Sequence, residues 1–359
     1  MPVQTPLMTR LGLSQPIIQA PMAGGGDTPE LVVAVSEAGG LGSSGATYLT
    51  PDALRAAASK IRTQTNRSFA VNLFAPQSVP SRPDNIDGAL AAVEMSGAEV
   101  GAPPAELPES MADPFERTFP VALESGAQVF SFTFGPLPDD AIQALKARDV
   151  FIMGTATTPA DAVLLERSGV DAVIAQGAEA GGHRGLFDGF TDDALIGTMA
   201  LVPQVVDAVS IPVVASGGIM DGRGIAAALA LGAQAVQMGT AFLTCAEAGP
   251  AECYKQALMD AGPDQTRITR AFSGRPARGV RNRFMDRVEG PDSPAGPLPF
   301  PWQNALTRPM RTAAAAAGDA GLLSLWAGQG VGLSRRTTAA ELMARLAAET
   351  EAAIRGLST

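Results

Sequence analysis

The only histidine of the 359-residue chain, His183, stands in Ala172-Val-Ile-Ala-Gln-Gly-Ala-Glu-Ala-Gly-Gly-His-Arg-Gly185, where a short apolar run passes into a loop with four glycines in nine positions. Of the common side chains only an unperturbed imidazole changes charge between pH 5 and 8. General acid or base work near neutrality therefore falls first to His183, expected to titrate near ~6.5 and to do so alone in its site. Ala172–Ala175 suits a buried parallel strand. Gly181 and Gly182 admit backbone angles that other residues resist and let a ligand lie against bare peptide.

A second constellation is the pair Ala215-Ser-Gly-Gly-Ile219 and Gln237-Met-Gly-Thr240. Free backbone N–H groups, a following helix start and the Thr240 hydroxyl together suit an anion the size of a phosphate. Other chemistries lack their signatures. The chain has no GxxxxGK[ST] loop, no GxGxxG after its first strand and no GxSxG elbow, which argues against a P-loop, a dinucleotide fingerprint and a serine hydrolase. Gly328-Gln-Gly-Val-Gly332 has no βαβ context and reads as a turn. One histidine rules out a histidine metal cluster, so no metal site is expected; Glu179 and Asp188 could hold a cation through water, but Glu179 reads better as loop support. Cys245 and Cys253 have no histidine nearby and read as reduced thiols.

These residues need strands and helices to bring them together. Apolar runs expected as strands are Pro16–Pro21, Gly40–Thr47, Phe69–Phe74, Val129–Phe134, Val150–Gly154, Ala172–Gln176, Pro212–Ser216 and Ala235–Thr240. Helical patterns alternate with them: starts near Thr28-Pro29 and Thr50-Pro51, then Pro159–Ser168, a helix through Asp192 to Val209, and Gly222–Leu231. Pro is harmless in a first helical turn. Eight such units favour a (β/α)8 TIM barrel over an open doubly wound sheet. In that fold, chemistry gathers at the C-terminal strand ends, where Met22, Asn72, Gln176, His183, Gly217, Gly218, Gly239 and Thr240 all fall. The organisation expected is a barrel over 1–245 with an insertion at 75–118, a Pro-, Gly- and Arg-rich cover subdomain over 246–312, and C-terminal helices over 313–359 packing back on the barrel. The insertion has a weak helical signal over Ile86–Met95 and could form a lid. The last helices are expected at Thr312–Ala317 and Thr338–Arg355.

Composition narrows the partner. Hydrophobic residues make up 46%, charged residues 17% and aromatic residues 5%, as in a globular protein. A net charge of −10 disfavours nucleic acid and anionic membrane as partners. Ile225–Ala246 is uncharged but broken by glycine and glutamine, so it reads as a buried helix and strand and not a membrane span. Met1–Gln15 has no signal-peptide pattern. A cytoplasmic enzyme acting on a small molecule is expected.

Ala20-Pro-Met-Ala-Gly24, Asn72, the glycine-histidine loop from Gln176 to Gly185, Ala215–Ile219, Gln237–Thr240 and Leu325-Trp-Ala-Gly-Gln-Gly330 together resemble the nitronate monooxygenase family (2-nitropropane dioxygenases), and most closely its class I branch. The resemblance implies FMN as cofactor, contacted by Met22, Asn72, Gln176, Gly181, Gly218, Gln237, Met238, Gly239 and Thr240, with His183 facing the substrate. It implies that an alkyl nitronate gives the flavin an electron and reacts with O2 to an aldehyde or ketone plus nitrite, with no nicotinamide required. His183 would hydrogen-bond the nitro oxygens or take the α-proton of a neutral nitroalkane. Tyr254 and Trp302, with Phe300, are the aromatic residues available to line the substrate pocket, and Trp302 could equally be a packing anchor. A monomer or homodimer is expected. The alternatives are an NAD(P)H-dependent flavin reductase of enoyl thioesters or quinones on the same scaffold, and a barrel that binds FMN or phosphate without catalysis.

Overall fold

The computed structural model describes residues 3–187, 195–291, 293 and 296–357; Asp188 and the expected helix start at Asp192 lie outside these. The barrel strands are β1 (Ile17–Gln19), β2 (Gly42–Gly45), β3 (Phe69–Phe74), β4 (Val129–Thr133), β5 (Phe151–Ala156), β6 (Ala172–Gln176), β8 (Val213–Ser216) and β9 (Ala235–Met238), while β7 (Gly182–His183), β10 (Thr266–Thr269) and β11 (Ala277–Val280) form a second sheet. The eight barrel strands are parallel in the order β1-β9-β8-β6-β5-β4-β3-β2. Leu41 closes the ring, donating its N–H to Ile17 O at 3.0 Å and accepting at its carbonyl from Gln19 N at 2.9 Å. The fold is the expected TIM barrel.

Successive strand residues point to opposite faces. Ile17, Val173 and Val213 therefore face the surrounding helices, whereas Ile18, Ile174 and Val214 point inward and pack with Leu7, Met8 and Leu11 of the helix Pro6–Leu11. That helix plugs the end of the barrel opposite the strand C-termini. Helix starts follow the sequence signals: Thr28, Thr50 and Thr158 each accept a backbone N–H in front of a proline, and Thr158 and Asp161 form a reciprocal capping box. One strand end differs from expectation. The run expected to reach Thr240 stops at Met238, because Thr240 opens a short helix, Thr240–Leu243.

The cover has its own apolar core, containing Leu258, Phe272, Phe284, Met285, Trp302, Leu306, Met310, Leu325 and Val331. Ala89, Ala92 and Val93 of the insertion helix Asp87–Glu99 join it. Glu99 bridges Arg283 at 2.8 Å and Arg287 at 2.7 Å, so the insertion is bound into the cover. The helix expected from Thr312 begins ten residues earlier, at Trp302, and runs unbroken to Ala317, so the boundary drawn at 312 falls inside one helix. The helix Ala339–Leu357 lies against a barrel helix. It packs on Gly222–Ala230 so closely that a Cβ on Gly222 would come within 2.2 Å of Thr350 N.

Candidate active site

A cavity of about 790 Å³ opens at the C-terminal mouth of the barrel under the cover. Met22, Asn72, Gln176, Gly181, His183, Gly218, Gln237, Met238, Gly239, Thr240 and Tyr254 all line it. Trp302 does not: it is 2% exposed in the cover core, and its indole N–H donates to Pro80 O at 3.0 Å. Of its two readings, the packing anchor holds.

The loop after β6 is pinned at each step. Gln176 donates its amide N–H to His183 O at 3.0 Å, and its Oε1 accepts from Gly185 N at 2.8 Å and Arg184 Nη1 at 3.1 Å. Its side chain therefore holds the loop more than it serves a ligand. Arg184, buried with no carboxylate partner among the described residues, also donates to Gly177 O at 2.6 Å. Glu179 supports the loop as expected, accepting from Thr198 N and Thr198 Oγ1, the latter at 2.8 Å. Gly182 has φ +74°, a left-handed angle that favours glycine. Gly181 also admits a close chain neighbour: a Cβ there would meet Gly328 N at 2.5 Å, in the Trp326–Gly330 segment. That segment docks through Gly328 N to Thr240 Oγ1 at 3.0 Å and Gln329 N to Glu179 O at 2.9 Å.

β7 is the link that sequence reading missed. His183 and Gly182 pair antiparallel with Ala277 and Arg278 of β11, which fastens the loop to the cover hairpin. The imidazole then lies among Trp326, Phe134, Phe300 and Phe74, with ring centroids 5.6, 6.0, 6.1 and 6.3 Å away. Its Nε2 is 2.9 Å from Ser273 Oγ. Burial, with the like charges of Arg275 and Arg311, pushes the imidazole down to about 3. His183 is thus neutral across the working range and does not titrate near 6.5, contrary to expectation. The group of the mouth that does is Asp27, whose carboxyl burial pushes up to about 6 against the N–H bonds of Met22 and Gly45. Both donate to Asp27 Oδ2, at 2.6 and 2.9 Å, so this carboxylate shapes the Met22 turn.

Two arginines of the helix Trp302–Ala317 line the cavity, and Asp27 is the one acid among its described lining residues. Arg311 donates to Asn304 Oδ1 at 2.8 Å, and burial pushes its guanidinium down to about 10. Arg308 lies over the Tyr48 ring at 5.0 Å. Three buried polar atoms of the lining have no partner among the described residues: Tyr48 Oη, Thr133 Oγ1 and Gln237 Oε1. Buried polar atoms are rarely left unpaired, so these call for a polar ligand. Of the residues that sequence reading missed, Ser273 had no local signal, while Arg308 and Arg311 stand three apart, as residues sharing one helix face do. Among the described residues no cluster could hold a metal ion, and no helix is long and apolar enough to cross a membrane.

The family model described as nitronate monooxygenase matches residues 5–349. The chain belongs to the nitronate monooxygenase family. A nitronate monooxygenase of Pseudomonas aeruginosa is 45% identical over 345 residues, covering 94% of this chain and 97% of that protein. Among solved structures, nitroalkane oxidase from Streptomyces ansochromogenes superposes with a TM-score of 0.89 at 42% identity, over 98% of this chain and all of that one. FabK from Thermotoga maritima follows at 0.78 and 31%, over 99% of each chain. Family membership makes the chain an oxidoreductase, and the cavity at the barrel mouth is its candidate active site.

Proposed function

We propose that the cavity binds FMN and that the chain oxidises alkyl nitronates, and more slowly neutral nitroalkanes, with O2 to an aldehyde or ketone plus nitrite. The observation that carries this reading is the character of the cavity: arginines and unpaired buried polar atoms beside one neutral imidazole, in a chain of net charge −10. The lining suits a flavin mononucleotide. Gln237 Oε1 and Thr133 Oγ1 are unsatisfied at the ends of β9 and β4, where polar edges of a flat ring would complete them. Gly218, at φ +68°, and Gly239 present backbone without side chains beside Thr240, the surroundings a phosphate needs. When bound, FMN supplies the electron transfer and the reaction with O2.

The protein's own part is positioning and charge. Arg308 and Arg311 set a positive potential in a partly closed space, which concentrates an anion such as a nitronate. Phe74, Phe134, Phe300 and Trp326 exclude water around His183, and in a drier site these charges act more strongly. A neutral imidazole can accept the α-proton of a nitroalkane; a nitronate has already lost that proton and needs no base.

Anaerobic mixing decides between this reading and a reductase on the same scaffold. Rapid spectral change with propyl-2-nitronate or propionate 3-nitronate, and slow or no reduction by NADH, is expected. Fast stoichiometric reduction by NADH with no response to nitronate would replace the proposal with the reductase.

A further inference from the structure

We propose that Ser273 is a positioning residue that holds His183 in the Nε2–H tautomer and leaves the Nδ1 lone pair to face the cavity. The inference deepens the proposed function, on which it rests for what that lone pair does. Ser273, 1% exposed, has one hydroxyl hydrogen and two lone pairs, and its Oγ has three neighbours. It lies 3.1 Å from Arg275 O, which can only accept, and 3.3 Å from Arg275 N, which can only donate. The third neighbour is His183 Nε2 at 2.9 Å. With the hydroxyl hydrogen on the Arg275 carbonyl, all three contacts are hydrogen bonds only if Nε2 carries the imidazole proton. The turn from Ser273 to Arg275 therefore reads out as a tautomer at His183.

Nδ1 makes no hydrogen bond to the described residues, nor is it among their buried atoms left unpaired, so it borders accessible space. His183 lines the cavity, and that is the space it borders. The ring cannot turn freely to exchange its nitrogens. Its backbone is tied to Ala277 in β11 and to the Gln176 amide, and four aromatic rings surround it. A neutral imidazole in this tautomer presents an acceptor and no donor. It can take an α-proton from a neutral nitroalkane through Nδ1, whereas it cannot donate a hydrogen bond to nitro oxygens. Anion recognition then falls to the arginines.

Because His183 is the only histidine, an untagged protein labelled with ¹⁵N-histidine gives one imidazole and needs no assignment. The flavin-loaded wild type should show a protonated Nε2 and an unprotonated Nδ1 from pH 6 to 9. Ser273→Ala should show tautomers in exchange, and its kcat/KM for a neutral nitroalkane should fall at least about tenfold while that for the nitronate stays within about threefold, since misplacing a general base removes part of a ~10²–10⁴-fold effect. Ser273→Cys, with a weaker partner, should fall between. A protonated Nδ1 in the wild type, or a Ser273→Ala spectrum identical to the wild type, would overturn the assignment. The spectrum involves no turnover, so an enzyme that ignores nitronates but shows Nε2–H refutes the proposed function alone, and one that consumes nitronates but shows Nδ1–H refutes the tautomer alone.

Discussion

His183 sits directly opposite Ala277 in an antiparallel ladder, so the chain's one histidine belongs to the barrel by sequence and to the cover by hydrogen bonding. A loop after a barrel strand is ordinarily mobile and surface-bound. Here the cover hairpin fixes it, and a shift of the cover would move the imidazole.

His183→Asn should lower nitroalkane turnover about 10²–10⁴-fold and leave nitronate turnover within about tenfold. The wild-type nitroalkane rate should show no step near pH 6.5 from this residue, because burial holds it neutral down to about 3. Stability should show what the rate does not. The unfolded chain takes up a proton at His183 below ~6.5 that the folded chain refuses until about 3, so this group's contribution is present above pH 6.5 and is lost as pH falls through that window. Steady-state rates from pH 5 to 9 and denaturant titrations of wild type and variant from pH 4 to 7 check both.

Asp27 works with the opposite sign. Its folded pKa of about 6 lies above the unfolded ~3.9, so the folded chain holds the extra proton and stability from this group falls as pH rises toward 6. In Asp27→Asn this loss is absent. The stability of the variant relative to wild type should therefore rise by on the order of 1 kcal/mol between pH 5 and 7.5. A thermal-melting difference that stays constant with pH would contradict it.

The purified protein should be yellow with non-covalent FMN, released by heat as FMN and not FAD. Thr240→Glu should purify colourless while keeping a wild-type far-UV circular dichroism spectrum. It removes the Gly328 N–H acceptor and sets a carboxylate beside a phosphate, and like charges a few ångströms apart repel by about 1–4 kcal/mol near a protein surface.

Arg311→Met keeps much of the side-chain volume and deletes the charge. The KM for a nitronate should rise about tenfold, with kcat changing less, and the salt dependence of kcat/KM should weaken because part of the steering field is gone. An unchanged KM would assign anion binding elsewhere in the cavity.

Trp302→Phe should lower the melting temperature and leave the KM for nitronates within about twofold, because Trp302 packs among Leu298, Leu306 and Met310 away from the cavity. Truncation to Ala would cost about 3–5 kcal/mol. A large rise in KM for the Phe variant, with stability intact, would return Trp302 to the substrate pocket.

Much of this was legible in the residues themselves. β3, β6 and the helix Pro159–Ser168 fall where apolar runs, Thr-Pro starts and a terminal glycine mark them, because those signals act through neighbouring backbone and depend little on the rest of the fold. Counting eight strand-helix units was enough for the barrel, and the barrel was enough to converge Met22, Asn72, His183, Gly218 and Thr240 on one mouth. Tertiary structure decided what these groups are chemically. Desolvation pushes His183 down, helped by the charges of Arg275 and Arg311, and pushes Asp27 up, and neither effect is visible in a window of sequence. The partner of His183 is Ser273, ninety residues away, brought to 2.9 Å by a strand pairing of two residues that no periodicity announces. Pocket aromatic and packing anchor were equally open for Trp302 in the sequence, and the helix that starts there and turns it into the cover core decided for the anchor. Local propensity wrote the scaffold into the sequence, whereas burial, tautomer and pairing are properties of surfaces that meet only once the chain has folded.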